Sequence, residues 1–485
     1  MDLSRRADFH GPLTMRIVLL LILLSSLAPG AEGATPALWS VAPFALLLVL
    51  IAVMPLVAAH WWHRWYPVVA IGLGAAVAAY YLGALGKPAS LIHVGFEYAG
   101  FISLIGCLYL CSGGVVVGLG MRGTPTTNTG LLVFGACVAN IIGTTGASML
   151  LIRPFLRLNQ GRLRPYHVVF FIFMVSNVGG ALTPIGDPPL LLGYLRGIEF
   201  FRFLELNLGP WLLAMGLLSA TFFAIDARNP HGPELALSHG GAVSLRGGRN
   251  LLLLVIALGC VFVDPNRVAW VPGLGHDAQG WRFTIGALAG GETFSFVREL
   301  LLTAIGIFAW RTSPAENLAA NGFSWAPLKE VALLFIGIFL TMLPALELIR
   351  ADAVDGNLMG ITLTPMAFYF GTGLFSAILD NAPTFIAFLA SIEGVTGLTV
   401  AQIGASTDAK IALDLAACAC ASVFFGAMTY IGNGPNFMVK AICEDTKDAQ
   451  GRPVVAVPGF FGYIARYALP ILLPILVIVG FVFFR

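Results

Sequence analysis

Apolar residues run along this chain in blocks long enough to cross a bilayer, and polar residues gather between the blocks. A hydrocarbon core of roughly 30 Å takes about 20 apolar residues per helix. Blocks of that kind fall at 38–59, 65–85, 92–118, 166–197, 209–226, 327–349, 410–441 and 458–484, with shorter ones at 250–264 and 294–310. The stretch between the two short blocks, DPNRVAWVPGLGHDAQGW, reads as loop. Two further blocks, 130–158 and 364–392, are interrupted midway, and their halves are too short to span. They predict re-entrant helical hairpins whose tips stop near the midplane. The pattern as a whole predicts an all-α polytopic membrane protein.

Composition agrees with the pattern. Of 485 residues 58% are hydrophobic and 11% charged, against about 25% charged in soluble domains. The net charge of +2 leaves no footprint for nucleic acid. All seven cysteines lie in apolar runs or at their ends and pack as small residues. At the N-terminus, Arg5, Arg6 and Arg16 precede a short apolar core and then small residues. Residues 1–34 therefore read as a signal peptide or an N-terminal anchor.

Positive residues set the orientation. With the mature N-terminus outside, the connections carrying His60, His63 and Arg64, then Arg153, Arg157, Arg162 and Arg164, then Arg228, Arg246 and Arg249, then Arg311 and Lys329, and finally Lys440, Lys447 and Arg452 all fall on the cytoplasmic side. Arg196 and Arg202 fall on the other face and count against this.

The chain also repeats itself. SNVGGALTPIGDPPLLL (176–192) aligns without gaps on SVFFGAMTYIGNGPNFM (422–438), matching at seven of seventeen positions. FGACVANIIGTTGASML (134–150) aligns on FGTGLFSAILDNAPTFI (370–386), which sets Thr144-Thr145 against Asp380-Asn381. A helix beginning with Glu precedes each hairpin, at Glu97 and Glu330. Five crossings separate these helices, so the second unit enters from the opposite face. The organisation is 1–34 signal or anchor, 35–91 N-terminal membrane helices, 92–226 first repeat (hairpin 130–158, broken helix 166–197), 227–324 a connection with two membrane helices, and 325–485 second repeat (hairpin 364–392, broken helix 410–441). Inverted repeats of this kind place a substrate site at the midplane between the halves.

The breaks carry the chemistry. Pro184, Pro188 and Pro189 cannot sit inside a continuous helix. Broken backbone in a membrane is tolerated only where it lines protein or a cavity. Freed carbonyls, with Thr183, Asp187, Thr429, Asn433 and Asn436, supply hard oxygen suited to Na⁺ or H⁺-linked chemistry. Ionisable residues at mid-depth cost about 2.5–3.5 kcal/mol to insert and mark function by default. Asp187 and Asp380 are such residues, and each is also placed to cap a half-helix. H⁺ and Na⁺ competing for one carboxylate is what an exchanger needs, so Na⁺ is expected at Asp187, Asp380 and Asn433. Asn381, Thr384, Thr144 and Thr145 complete the candidate set. Asp414, near the start of its helix, reads either way. Walker A, dinucleotide and Gly-x-Ser-x-Gly motifs are absent from the sequence, which leaves ATP-driven pumping and hydrolase chemistry without support.

At these residues the sequence resembles the ion transporter superfamily, which includes NhaD-type Na⁺/H⁺ antiporters and citrate transporters. The resemblance covers about 40–485. It implies Na⁺ sites between tip and turn, an elevator-like moving part against a scaffold, and a homodimer. AILDNAP looks like the Asp-Asn-x-Pro of the antiporters, and GAMTYIGNGPNFMVKAICE looks like citrate transporters. The Ser-Asn-Thr tips of the dicarboxylate symporters are missing from GTTGAS and LDNAPT. The leading expectation is exchange of Na⁺ or Li⁺ for H⁺ in the inner membrane, with the transported ions and no cofactor. The alternative is cation-coupled uptake of citrate or another carboxylate, and a third class is a membrane-embedded enzyme or scaffold.

Overall fold

The computed structural model describes residues 35–229, 243–277, 280–288, 292–353, 357–358, 361–446 and 454–485. The signal-or-anchor stretch 1–34 lies outside the described residues. Helices α1 (Ala42–Val57), α2 (Ala59–Gly83) and α3 (Pro88–Gly113) lead into strand β1 (Val116–Leu119), hairpin helix α4 (Pro125–Leu158), and the halves of a broken helix, α5 (Pro165–Met174) and α6 (Pro188–Leu195). After α7 (Arg202–Asp226) come β2 (Val243–Arg246), α8 (Gly248–Cys260), strands β3 (Pro272–Asp277), β4 (Gly280–Ile285) and β5 (Glu292–Ser295), then α9 (Val297–Thr312) and α10 (Ala315–Ala320). The second repeat runs through α11 (Ala326–Asp352), hairpin arms α12 (Pro365–Ile378) and α13 (Asn381–Thr396), α14 (Val400–Ala405), broken-helix halves α15 (Ala409–Phe425) and α16 (Gly434–Asp445), and α17 (Phe460–Phe483). Eight helices among the described residues are long and apolar enough to cross a membrane.

Both interrupted blocks are hairpins. Each opens on Thr-Pro: the Thr124 and Thr364 hydroxyls accept from the backbone N–H groups of Thr127 and Ala367, both at 3.1 Å, and Pro125 and Pro365 follow where no N–H is needed. The arms of α4 turn at Gly143, whose φ of 79° suits glycine. Its two ends lie together: Gly123 N–H donates to the Leu158 carbonyl at 3.1 Å, and Asn128 and Asn159 exchange amide bonds at 2.7 and 2.8 Å. In the second hairpin the chain extends at Leu379 and restarts at Asn381, and Phe375 of one arm lies 5.9 Å from Phe388 of the other, between ring centroids.

The packing pairs crosswise, as a two-fold relation between the repeats requires. Helix α11 lies along α2 as α3 lies along α9; α13 packs on α6 as α4 packs on α16. Connections assigned to one face meet there. Strand β1 pairs with β2, and Arg153 Nη1 donates to the Asn321 carbonyl at 2.5 Å. On the other face Lys87 pairs with Glu347 at 2.8 Å and Arg202 donates to the Ser406 carbonyl at 2.8 Å. Arg196, which weighed against the orientation, pairs with Glu97 at 2.7 Å.

Two expectations are corrected. The stretch expected as loop holds β3, and β3 centres an antiparallel sheet in the order β4-β3-β5. Glycines at 273 and 275 hide its period of two, and Trp281 and Phe294 pack the sheet onto Phe96 of α3. The block expected at 92–118 ends as helix at Gly113. The chain is therefore an α-helical membrane protein with small sheets at its faces.

Candidate ion-binding site

The turns that break the two long helices have one shape. Asp187 adopts φ −144°, ψ 148°, and its repeat partner Asn433 adopts φ −154°, ψ 138°. A Cβ added to Gly186 would stand 2.1 Å from the Gly180 carbonyl oxygen, and one added to Gly432 would stand 2.7 Å from that of Gly426. Each turn is tied to the first arm of its own hairpin by a threonine. The Thr183 hydroxyl donates to the Asn140 carbonyl at 2.6 Å and accepts from Gly186 N–H at 3.2 Å; the Thr429 hydroxyl donates to the Ala377 carbonyl at 2.8 Å and accepts from Gly432 N–H at 3.0 Å. Thr183 and Thr429 thus hold the turns in place.

Asp187 is the meeting point. Its carboxylate is 1% exposed and makes no cap bond to α6, although it stands at that helix's N-cap. It accepts from the Thr144 hydroxyl at 2.6 Å on the first tip, from Asn381 Nδ2 on the second tip, and from Asn433 Nδ2 at 3.1 and 3.3 Å on the second turn. Thr144 N–H also donates to the Gly186 carbonyl at 2.8 Å. The contact from the second tip comes one position later than the repeat alignment sets it, from Asn381 and not Asp380. The second arm of α4, α6, α13 and α16 all begin around this carboxylate, so four partial positive helix ends converge on one negative group. Buried Asn381 Oδ1 has no partner among the described residues, which leaves an acceptor free beside the carboxylate.

The other candidates divide by what they touch. Asp380 is half-buried and caps α13, accepting from Ala382 N–H at 3.0 Å, while its carbonyl accepts from the Thr384 hydroxyl at 2.9 Å. Thr145 lines a cavity of about 40 Å³ with Thr144, Asp187, and Leu104, Leu108 and Tyr109 of α3. That volume admits a few waters or a small ion. Asn436 lies behind the site, donating to the Gly426 and Thr429 carbonyls at 2.8 and 2.9 Å and accepting from Asn177 at 2.6 Å.

Three residues outside the sequence-derived set hold the site together. Asn177 Oδ1 accepts from Asn433 at 3.2 Å. Asn140 donates to the Gly179 carbonyl at 2.6 Å and accepts from Leu182 N–H at 2.9 Å. Ser176 bonds Ser148 at 2.7 Å. Their one signal in sequence is a polar side chain inside an apolar run beside a break.

Residues 33–484 match the family described as "Putative citrate transport", and the chain belongs to that family. No curated protein matches it. The chain is accordingly a multi-pass membrane transporter whose hairpin tips and helix breaks surround one buried carboxylate.

Proposed function

We propose that this transporter exchanges Na⁺ (or Li⁺) for H⁺ across the inner membrane, with Asp187 as the group at which cation and proton compete. One observation carries the reading: the donors at both hairpin tips, Thr144 and Asn381, are spent on a carboxylate of the protein itself. A carrier of carboxylates needs such donors for its substrate. Here Asp187 already fills that place, and among the described residues no positively charged side chain pairs with it. A cation there finds the two carboxylate oxygens, the unpaired Asn381 Oδ1 and the Asp380 carboxylate close by. A proton on Asp187 neutralises the same group. Alternating access follows when the hairpins and broken helices that surround the site move together, elevator-like, against the remaining helices, and a homodimer would supply the fixed frame.

Proteoliposomes loaded with a pH dye test the proposal. Na⁺ or Li⁺ added outside should move protons, K⁺ should not, and Asp187→Asn should abolish the signal. An unchanged pH trace with Na⁺, or normal exchange by Asp187→Asn, overturns it.

The family description favours a second reading, citrate uptake coupled to a cation. The four helix N-termini around Asp187 suit an anion whenever Asp187 is neutralised. Labelled-citrate uptake that requires Na⁺ or H⁺ would select this reading.

A further inference from the structure

Helices α3 and α6 meet in antiparallel register. Leu191 of α6 lines the cavity at Asp187 together with Leu104 and Leu108 of α3. One turn on, Leu195 packs at Gly100, where an added Cβ would stand 3.3 Å from Leu195 Cδ2 and 3.3 Å from Glu299 Oε1 of α9. Arg196, just past the end of α6, then closes on Glu97: its Nη2 donates to Oε2 at 2.9 Å, and its Nε stands 2.7 Å from Oε1. The two side chains are 12% and 7% exposed, so the pair is almost dry. These layers stand between the cavity and the face where α3 begins. On the orientation set by the positive residues, that face is the outer one.

The pair joins two parts that separate when access alternates. Arg196 belongs to a broken helix, which moves, and Glu97 to a helix that stays. Glu97 keeps a partner on its own helix, His93, whose Nε2 stands 3.3 Å from Oε1, so the acid is not stranded when Arg196 leaves. The second repeat lacks the pair. Glu330 stands where the repeat sets Glu97, but the frame that matches 176–192 to 422–438, carried four residues on, sets Ile442 against Arg196. Glu330 forms no ion pair among the described residues. When inverted repeats exchange conformations, α11 closes on α16 at the opposite face, and there an acid meets an isoleucine. The two closed forms therefore differ by one ion pair.

We propose that Glu97 and Arg196 form a one-sided latch that biases the transporter toward the form closed on the outer face. The inference rests on the alternating-access reading of the candidate site and assigns that cycle its resting side. It holds for a cation or a carboxylate as cargo. Opening toward the outer face breaks an ion pair that opening toward the other face leaves whole. Cargo arriving from outside therefore draws the protein open only by binding the outward form more tightly.

The test labels the full chain carrying Leu191→Cys with a membrane-impermeant maleimide, in spheroplasts for the outer face and in inverted vesicles for the other. Peptide mass spectrometry reads position 191 apart from the seven native cysteines. With the latch intact, inverted vesicles should label and spheroplasts should label slowly. Glu97→Gln should raise outer labelling on the order of tenfold, the scale on which one contact biases a two-state equilibrium, and Arg196→Gln serves where Glu97→Gln does not assemble. The exchanged pair E97R/R196E should bring the slow rate back. Ile442→Arg gives the opposite face a latch of its own and should raise outer labelling with Glu97 and Arg196 untouched, which damage to the outer end cannot imitate. Slow outer labelling in an assembled Glu97→Gln or Arg196→Gln chain overturns the latch, and so does an exchanged pair that labels as fast as they do. Flux is measured alongside. If the wild-type protein moves neither Na⁺ nor citrate, the transport reading fails, and the labelling then decides the latch by itself.

Discussion

Asn433 Nδ2 lies 3.1 Å from Asp187 Oδ1, and the two residues hold the same position in the two repeats. Residues related by a two-fold axis touch when both stand beside that axis. The candidate site therefore lies on the pseudo-symmetry axis, where the first repeat contributes the charge and the second an amide. Two carboxylates facing each other there would repel, and two amides would offer neither a charge nor a group that takes up a proton.

This contact predicts a rescue. Asp187→Asn turns an amide N–H₂ toward the Asn381 donor, leaves a donor unpaired at about 1–3 kcal/mol, and should abolish exchange. Asn433→Asp should also fail, through the paired charges. The double variant D187N/N433D restores one carboxylate and one amide to the axis, so part of the flux should return. Proteoliposome exchange of the three variants gives the answer, and a double variant as dead as D187N would place the charge requirement on Asp187 alone.

The second tip separates charge from capping. Asn381→Ala removes both a donor to Asp187 and the unpaired acceptor beside it. Half-saturating Na⁺ should rise about tenfold, the equivalent of about 1.4 kcal/mol. Asp380→Asn keeps a residue that caps α13 equally well, so any change in its transport reads the loss of charge and not of fold. Na⁺ titrations of exchange distinguish the two, and an unchanged half-saturation in Asn381→Ala would remove that tip from the site.

Much of this site could be read from residues whose chemistry conflicts with a continuous membrane helix. Proline at 184, 188 and 189 and glycine at 186 forced a break, and the repeat then paired Asp187 with Asn433. Capping was the competing reading for both acids; the structure gives it to Asp380 and withholds it from Asp187. Asn140 and Asn177 escaped notice because the Gly179 carbonyl that Asn140 meets, and the Asn433 and Asn436 side chains that Asn177 meets, come close only after the chain has broken and folded back. No spacing announces such contacts. Strand β3 escaped because its glycines erase the alternation that marks a strand.

Glycine substitutions at the turns should act on assembly. In Gly186→Ala the new methyl would fall 2.1 Å from the Gly180 backbone oxygen, and in Gly432→Ala 2.7 Å from that of Gly426. Backbone must shift in both, and more in the first. Membrane abundance should fall in the order wild type, Gly432→Ala, Gly186→Ala. Gly434→Ala, whose methyl meets nothing within 4 Å, is the control expected at wild-type level.

The base of the first hairpin depends on Asp226, which is fully buried. Its carboxylate accepts from Arg162 at 2.9 and 3.1 Å, from the Tyr166 hydroxyl at 2.6 Å and from Asn128 at 2.9 Å, with His167 Nε2 at 3.1 Å. These partners join the start of α4, the start of α5 and the end of α7, so the clamp fixes the root from which the Thr144 tip projects. Asp226→Ala strands the Arg162 charge in a buried site, a loss of about 3–5 kcal/mol. Arg162→Ala should cost less, because Asp226 keeps Tyr166 and Asn128 as donors. Thermal unfolding in detergent should therefore place Asp226→Ala below Arg162→Ala. The reverse order would mean that Arg162 holds the root through its bond to Asn159, at 3.0 Å, more than through the acid.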